Sequence, residues 1–169
     1  MEIVLEEFLR QAREATDKFD KFARSHDVQK LARADHICYK CGSRKSFESI
    51  RTMLEGYSDF AYQSVISERR IAYIKLRGSV PSELGPIRFI ELSDQKPDGS
   101  QVEGFDHIEV YPLAGTYIEM IVWLGKAGIQ LTKVKRPHHT THDADIGNGF
   151  IFRCSPGPLL DKIKREEFI

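Results

Sequence analysis

Ala34-Asp35-His36-Ile37-Cys38-Tyr39-Lys40 is echoed 71 residues later by Phe105-Asp106-His107-Ile108-Glu109-Val110-Tyr111. Each heptapeptide mixes apolar and polar side chains over the length of a short strand, and each opens the same series of elements. After the first, Gly42-Ser43 starts a helix carried on Phe47, Ile50, Met53 and Leu54, and strands follow at Phe60–Ser67, Ile71–Arg77 and Ile87–Ser93. After the second, a helix runs from about Gly115 to Lys126 on Ile118, Ile121, Val122 and Leu124, and Gly128 ends it. Strands follow at Ile129–Val134, His139–Ile146 and Phe150–Cys154, with Gly147-Asn148-Gly149 as the turn between the last two. Both series read β-α-β-β-β, the mark of an internal duplication.

Apolar residues at Leu5, Phe8, Leu9, Ala12, Ala15, Phe19 and Phe22 predict an amphipathic helix from Ile3 to about Ala23, and a second short helix is expected at Val28–Arg33. Ser155-Pro156-Gly157-Pro158 precedes a closing helix from Leu159 to about Lys164. The expected fold is therefore α+β, with two βαβββ modules forming a curved mixed sheet around a cleft. Residues 1–169 form a single domain, as that length suggests. Residues 1–33 are a helical extension, 34–95 and 104–155 the two modules, and 156–169 the C-terminal helix.

The composition, 41% hydrophobic and 30% charged, is that of a globular protein. Twenty-five Lys+Arg balance 25 Asp+Glu, so there is no overall basic field and nucleic acid is not an expected partner. No apolar run approaches the roughly 20 residues needed to cross a bilayer, so no membrane partner is expected. The first residues lack a signal-peptide pattern, and three cysteines cannot all pair within one chain. A cytoplasmic location is the expectation, as a monomer or homodimer.

Alternate side chains of the first strand of each module would line a shared cleft. His36 and His107 hold equivalent places there, accompanied by Cys38, Lys40, Glu109 and Tyr111. A carboxylate inside the apolar run Phe89-Ile90-Glu91-Leu92 needs a cation or hydrogen-bond donors when buried. Two imidazoles and a carboxylate suit a divalent transition metal (Zn, Fe, Mn or Ni) with positions left open. His36, Glu91 and His107 are the candidate ligands. The alternative is that Asp35 and Asp106 satisfy the two histidines and a basic side chain satisfies Glu91.

In Ala34-Asp35-His36-Ile37, Phe89-Ile90-Glu91-Leu92 and Phe105-Asp106-His107-Ile108-Glu109, together with the helical extensions at both ends, the chain resembles the YecM family. Through it the chain resembles the vicinal oxygen chelate superfamily of glyoxalase I, extradiol dioxygenases and bleomycin-resistance proteins. That superfamily commonly carries a further ligand, a Glu, on its last strand, where this chain has Arg153. A guanidinium does not ligate metal. Arg153, Lys40 and Tyr111 would instead bind a small anionic substrate, and Glu109 would be the general base. The resemblance implies a metal-dependent isomerase, lyase or dioxygenase acting on vicinal oxygens. The competing expectation is a metal-free binding or sequestering protein in which Arg153 pairs with Glu91 or Glu109.

Pro137-His138-His139-Thr140-Thr141-His142-Asp143 places His139, Thr141 and Asp143 on one strand face and His142 on the other. It reads as an exposed His-rich edge, or as the source of a further ligand. Cys38-Tyr39-Lys40-Cys41 matches C-x-x-C, but strand alternation separates its two thiols. Both cysteines are expected to be small buried hydrophobes.

Overall fold

The computed structural model describes residues 2–136 and 139–167. Among these, helix α1 spans Leu5–Ser25 and a single 3-10 turn covers Val28–Lys30. The first module is β1 (Ala32–Lys40), α2 (Arg44–Glu55), β2 (Ser58–Ile66), β3 (Arg69–Val80) and β4 (Ile87–Ser93). The second is β5 (Gly104–Pro112), α3 (Tyr117–Lys126), β6 (Thr132–Lys135), β7 (Thr140–Gly147) and β8 (Phe150–Cys154), and α4 (Leu159–Glu167) closes the chain. The short helix expected at Val28–Arg33 is cut to one turn, because Ala32 and Arg33 already pair with Pro112 and Tyr111 in the sheet.

All eight strands form one mixed sheet in the order β2-β3-β4-β1-β5-β8-β7-β6. Within each module the first strand lies parallel to the last, and β1 and β5 meet antiparallel at the centre. The halves are thus related by a pseudo-twofold axis passing between Ile37 and Ile108, which face each other in register. On one side of that point His36 opposes Glu109, and on the other Cys38 opposes His107. The duplication read from the sequence is a symmetry of the sheet.

Two irregularities in the central pair respect the same symmetry. Register shifts between Ala34 and His36 and between Cys38 and Tyr39 leave Asp35 in β1 and Asp106 in β5 as extra, unpaired residues. Each is the Asp of an Asp-His pair. In a regular strand neighbouring side chains point to opposite faces, whereas a bulge allows both to serve one face.

Helices α1, α2 and α3 pack on one face of the sheet. Phe8, Ala12, Phe19, Phe47, Leu54 and Leu124 are buried there against Ile37, Ile74, Ile90, Ile108 and Phe152. Each large apolar side chain so buried contributes about 1.5–3 kcal/mol, so α1 is part of the core. Helix α3 starts with a complete capping box. The Thr116 hydroxyl accepts from the Glu119 N–H at 3.2 Å, and the Glu119 carboxylate accepts from the Thr116 N–H at 2.6 Å. On the opposite face, Leu159 and Ile163 of α4 form a smaller cluster with Ile71, Tyr73 and Phe89. That face also carries His36, Glu91 and Glu109. No helix among the described residues is long and apolar enough to cross a membrane.

Candidate functional site

Glu91, His36, Glu109 and His107 converge from three adjacent strands, β4, β1 and β5. The His36 Nε2 lies 3.1 Å from Glu109 Oε2 and 3.5 Å from Glu91 Oε2. These three side chains can each offer one ligand atom within 4.8 Å of the other two. His36 is only 2% exposed and His107 1%, so both rings are shut off from water. The Cys38 thiol, 3.6 Å from Glu91 Oε1, lies next to them, and Cys38, Asp106 and His107 form a second group of the same kind.

The bulges now acquire a purpose. Asp35 Oδ1 accepts from His36 Nδ1 at 2.8 Å, and Asp106 Oδ1 accepts from His107 Nδ1 at 2.7 Å. A carboxylate on Nδ1 fixes the ring orientation and leaves Nε2 for other work, the arrangement common behind metal-binding histidines. The two equivalent imidazoles nonetheless meet opposite surroundings. Glu109 and Glu91 face His36 Nε2, whereas His107 Nε2 accepts from Arg153 Nη1 at 3.1 Å. Burial disfavours the charged form of His36, but its hydrogen bonds to Asp35, Glu109 and Glu91 prevail and hold its pKa well above the ordinary value. For His107, burial and then the Arg153 charge lower it. At neutral pH His36 therefore favours its charged form and His107 its neutral form.

The register explains this asymmetry. Cys38 pairs with Glu91 across β1 and β4, and Glu109 with Arg153 across β5 and β8. Since Glu109 occupies the place of Cys38 in the second module, Arg153 occupies the place of Glu91. The Arg153 guanidinium, although in register with Glu109 and close enough to feel the charges of Glu109 and Glu91, forms its direct ion pair with Asp143 instead. Its Nε and Nη2 donate to the Asp143 carboxylate at 3.1 Å each, and Arg136 donates to the same carboxylate at 3.1 Å.

Lys40 Nζ lies 3.5 Å from the Ser93 hydroxyl and 4.0 Å from Asp106 Oδ2, at the edge of the group. Tyr111 sits opposite Arg33, beyond Glu109 along β5. His142 turns to the helical face and meets the Tyr117 hydroxyl at 2.7 Å, while Thr141 and Asp143 turn to the site. His139 is exposed, and His138 lies outside the described residues. Cys38, Cys41 and Cys154 are free, buried thiols, and burial first of all pushes the Cys41 thiol up to about 12.

Sequence reasoning missed Lys162. From α4 its ammonium reaches across the site face and donates to Glu109 Oε1, so both oxygens of that carboxylate are engaged. Burial opposes the Glu109 charge, but Lys162 and His36 together hold its pKa well below the usual carboxylate range. The Leu159 N–H donates at 2.8 Å to Asp35 Oδ2, whose other oxygen holds His36. A stripe of Leu159 and Ile163 with a lysine beside it signals a docked helix, but the sequence carries no sign of where that helix docks.

A duplicated βαβββ sheet around a buried imidazole–carboxylate cluster defines an α+β protein with a candidate metal centre. The chain belongs to the YecM protein family, whose family model matches residues 5–122. The solved structure titled "Structural Genomics, Protein EC4020" is similar over 96% of this chain and 92% of its own at 20% identity, with a TM-score of 0.76. Its likeness shows the fold. A xylose isomerase-like TIM barrel/4-hydroxyphenylpyruvate dioxygenase fusion protein aligns with 80% of this chain and 28% of its own at 11% identity and a TM-score of 0.48. The fosfomycin resistance protein FosX from Mesorhizobium loti aligns with 77% of this chain and 95% of its own at 16% identity and a TM-score of 0.28. No curated protein matches the sequence significantly.

Proposed function

We propose that the protein is a divalent-metal-dependent enzyme acting on a small anionic substrate with vicinal oxygens, by isomerase, lyase or dioxygenase chemistry. The observation that carries this reading is the approach of His36, Glu91 and Glu109 within 4.8 Å of one another in a nearly closed site. One imidazole and two carboxylates are a donor set for Mn, Fe or Zn, so the residues present fit the metal. This grouping moves Glu109 from the base role to the ligand set. His107, with Nε2 3.9 Å from Glu109 Oε2, stands beside that set.

A bound metal supplies Lewis-acid stabilisation of negative charge on a substrate oxygen. The chain's own residues do the rest. Asp35 keeps the His36 ring oriented through Nδ1. Arg153, braced by Asp143, presents Nη1 beside His107 and orients the substrate anion. Lys40 adds a second positive charge at the rim. His107 is neutral and already oriented by Asp106, so its Nε2 can take a proton from a substrate carbon once Arg153 turns to the substrate.

Metal analysis of protein purified without a His tag tests the reading. About one transition metal per chain is expected, falling to background in His36→Ala. Equal metal in the variant and the parent overturns it. One observation favours a metal-free binding protein instead, because Lys162 and Arg153 already neutralise Glu109 and Asp143. That reading predicts no bound metal and a thermal shift with small carboxylates.

A further inference from the structure

We propose that α4 is a latch released by the metal. Lys162 neutralises Glu109 through Oε1 while Oε2 faces His36, and a divalent ion entering at His36, Glu91 and Glu109 takes over that charge balance, displaces the ammonium and frees α4 from the site face. The inference rests on the metal reading above and goes beyond it by assigning a role to the C-terminal helix.

Three observations carry it. The first is what holds α4 down. Within the described residues its attachments to the site face are two buried side chains, Leu159 and Ile163, the Leu159 N–H to Asp35 hydrogen bond, and the Lys162–Glu109 ion pair. A helix of nine residues is too short to be stable by itself in water. Its structure depends on that docking.

The second is charge. The two carboxylates Glu91 and Glu109 balance a divalent ion. The Lys162 ammonium is then a cation beside a dication, on a carboxylate whose charge the ion already balances, where the Glu109 side chain is 6% exposed and that of Lys162 18%. Like charges repel strongly where water is scarce. Lysine on a helix can swing its flexible stem to solvent, which the strand-held ligands cannot do.

The third is position. The chain leaves β8 through Ser155-Pro156-Gly157-Pro158, with the Ser155 N–H anchored to the Val110 carbonyl at 2.8 Å. Beyond that anchor the Gly157 carbonyl accepts only a long 3.4 Å hydrogen bond from the Ser155 hydroxyl, and a Cβ placed on Gly157 would meet nothing within 4 Å apart from its chain neighbours, so the segment has room to turn. The face that α4 covers is the face that carries the ligands. Release would open that face to substrate after the metal is in place, and so order the two binding events.

The experiment compares tag-free wild type with Lys162→Met and Lys162→Arg. Manganese(II) affinity is measured by calorimetry, and amide exchange over residues 155–167 by mass spectrometry with and without the ion. The latch predicts faster exchange of α4 on manganese binding in the wild type. It also predicts binding at least tenfold tighter in Lys162→Met, with α4 exchange already fast and insensitive to the ion. Lys162→Arg, which keeps the charge, should bind like the wild type. If manganese binds but α4 exchange is unchanged, or if Lys162→Met binds equally or more weakly, the latch is wrong and the metal site stands. If none of the three proteins binds manganese, the metal reading fails and the latch with it.

Discussion

Two histidines of identical local sequence meet opposite charges, Glu109 and Glu91 at His36 Nε2 and Arg153 at His107 Nε2. Asp-His-Ile precedes Cys38 in one module and Glu109 in the other, and the strand beyond supplies Glu91 to the first and Arg153 to the second. A dead-end test of this arrangement is Asp143. Removing it leaves Arg153 and Arg136 facing each other without their shared carboxylate. Asp143→Ala is expected to lose about 3 kcal/mol in urea unfolding, the usual loss when one partner of a mostly buried pair is deleted. A loss under about 1 kcal/mol would mean that water takes over the carboxylate's role.

The pH dependence follows from the same side chains. Metal binding requires a bare Nε2 on His36, and the surrounding carboxylates keep a proton there above the ordinary imidazole value of 6.5. Each ion bound below the raised value expels that proton, so affinity is expected to rise by roughly tenfold per pH unit from pH 6 to 7. Calorimetry in buffers of different ionisation heat would count the proton, and no proton release would contradict the assigned state of His36. Without metal, Glu109 has a depressed pKa, so its contribution to stability is present above the ordinary 4.5 and lost as pH falls through the lower folded value. His36 has a raised one, so its contribution is complete below 6.5 and lost as pH climbs through the higher folded value. The melting temperature of the metal-free protein should therefore form a plateau between about pH 4.5 and 6.5 and fall on both sides.

At the scale of elements, hydrophobic spacing and turn residues were enough to place the strands and helices within a few residues. The repeated Asp-His-Ile placed the first strands of both modules. What could not be read was anything set by a bulge or by docking across the sheet. Alternation alone would send Asp35 and His36 to opposite faces, and only the unpaired residue brings them together. Lys162 lies 53 residues from Glu109 in sequence, so nothing local links the two. The capping box of α3 is, by contrast, a local device. Thr116→Ala is expected to lower stability by about 1 kcal/mol, measured by thermal or chemical unfolding, with no effect on metal content. Helix α1 should behave as core. Phe8→Ala, at a side chain with no exposure, should lose about 3–5 kcal/mol. A near-neutral result would show that α1 is an appendage.

For the whole molecule, the pseudo-twofold axis makes the β1–β5 seam the joint between modules. Ile37 and Ile108 meet there, both fully buried. Ile37→Ala and Ile108→Ala should each lose about 2–5 kcal/mol. The double variant should depart from additivity by at least about 0.5 kcal/mol, because the two side chains share one space. Strict additivity would mean that the modules do not pack as one core.

The bulges at Asp35 and Asp106 also leave a trace of how such a site can be acquired. Ala34 pairs with Val110 and His36 with Glu109, consecutive residues of the partner strand, so excising Asp35 would leave an unbroken ladder. Ala34 would still face the helices and His36 the site, because alternation resumes across the cut. A single-codon deletion is thus compatible with the fold while it removes the carboxylate that orients His36 and receives the start of α4. Read in reverse, one inserted codon in an ordinary strand suffices to give a buried imidazole a fixed orientation.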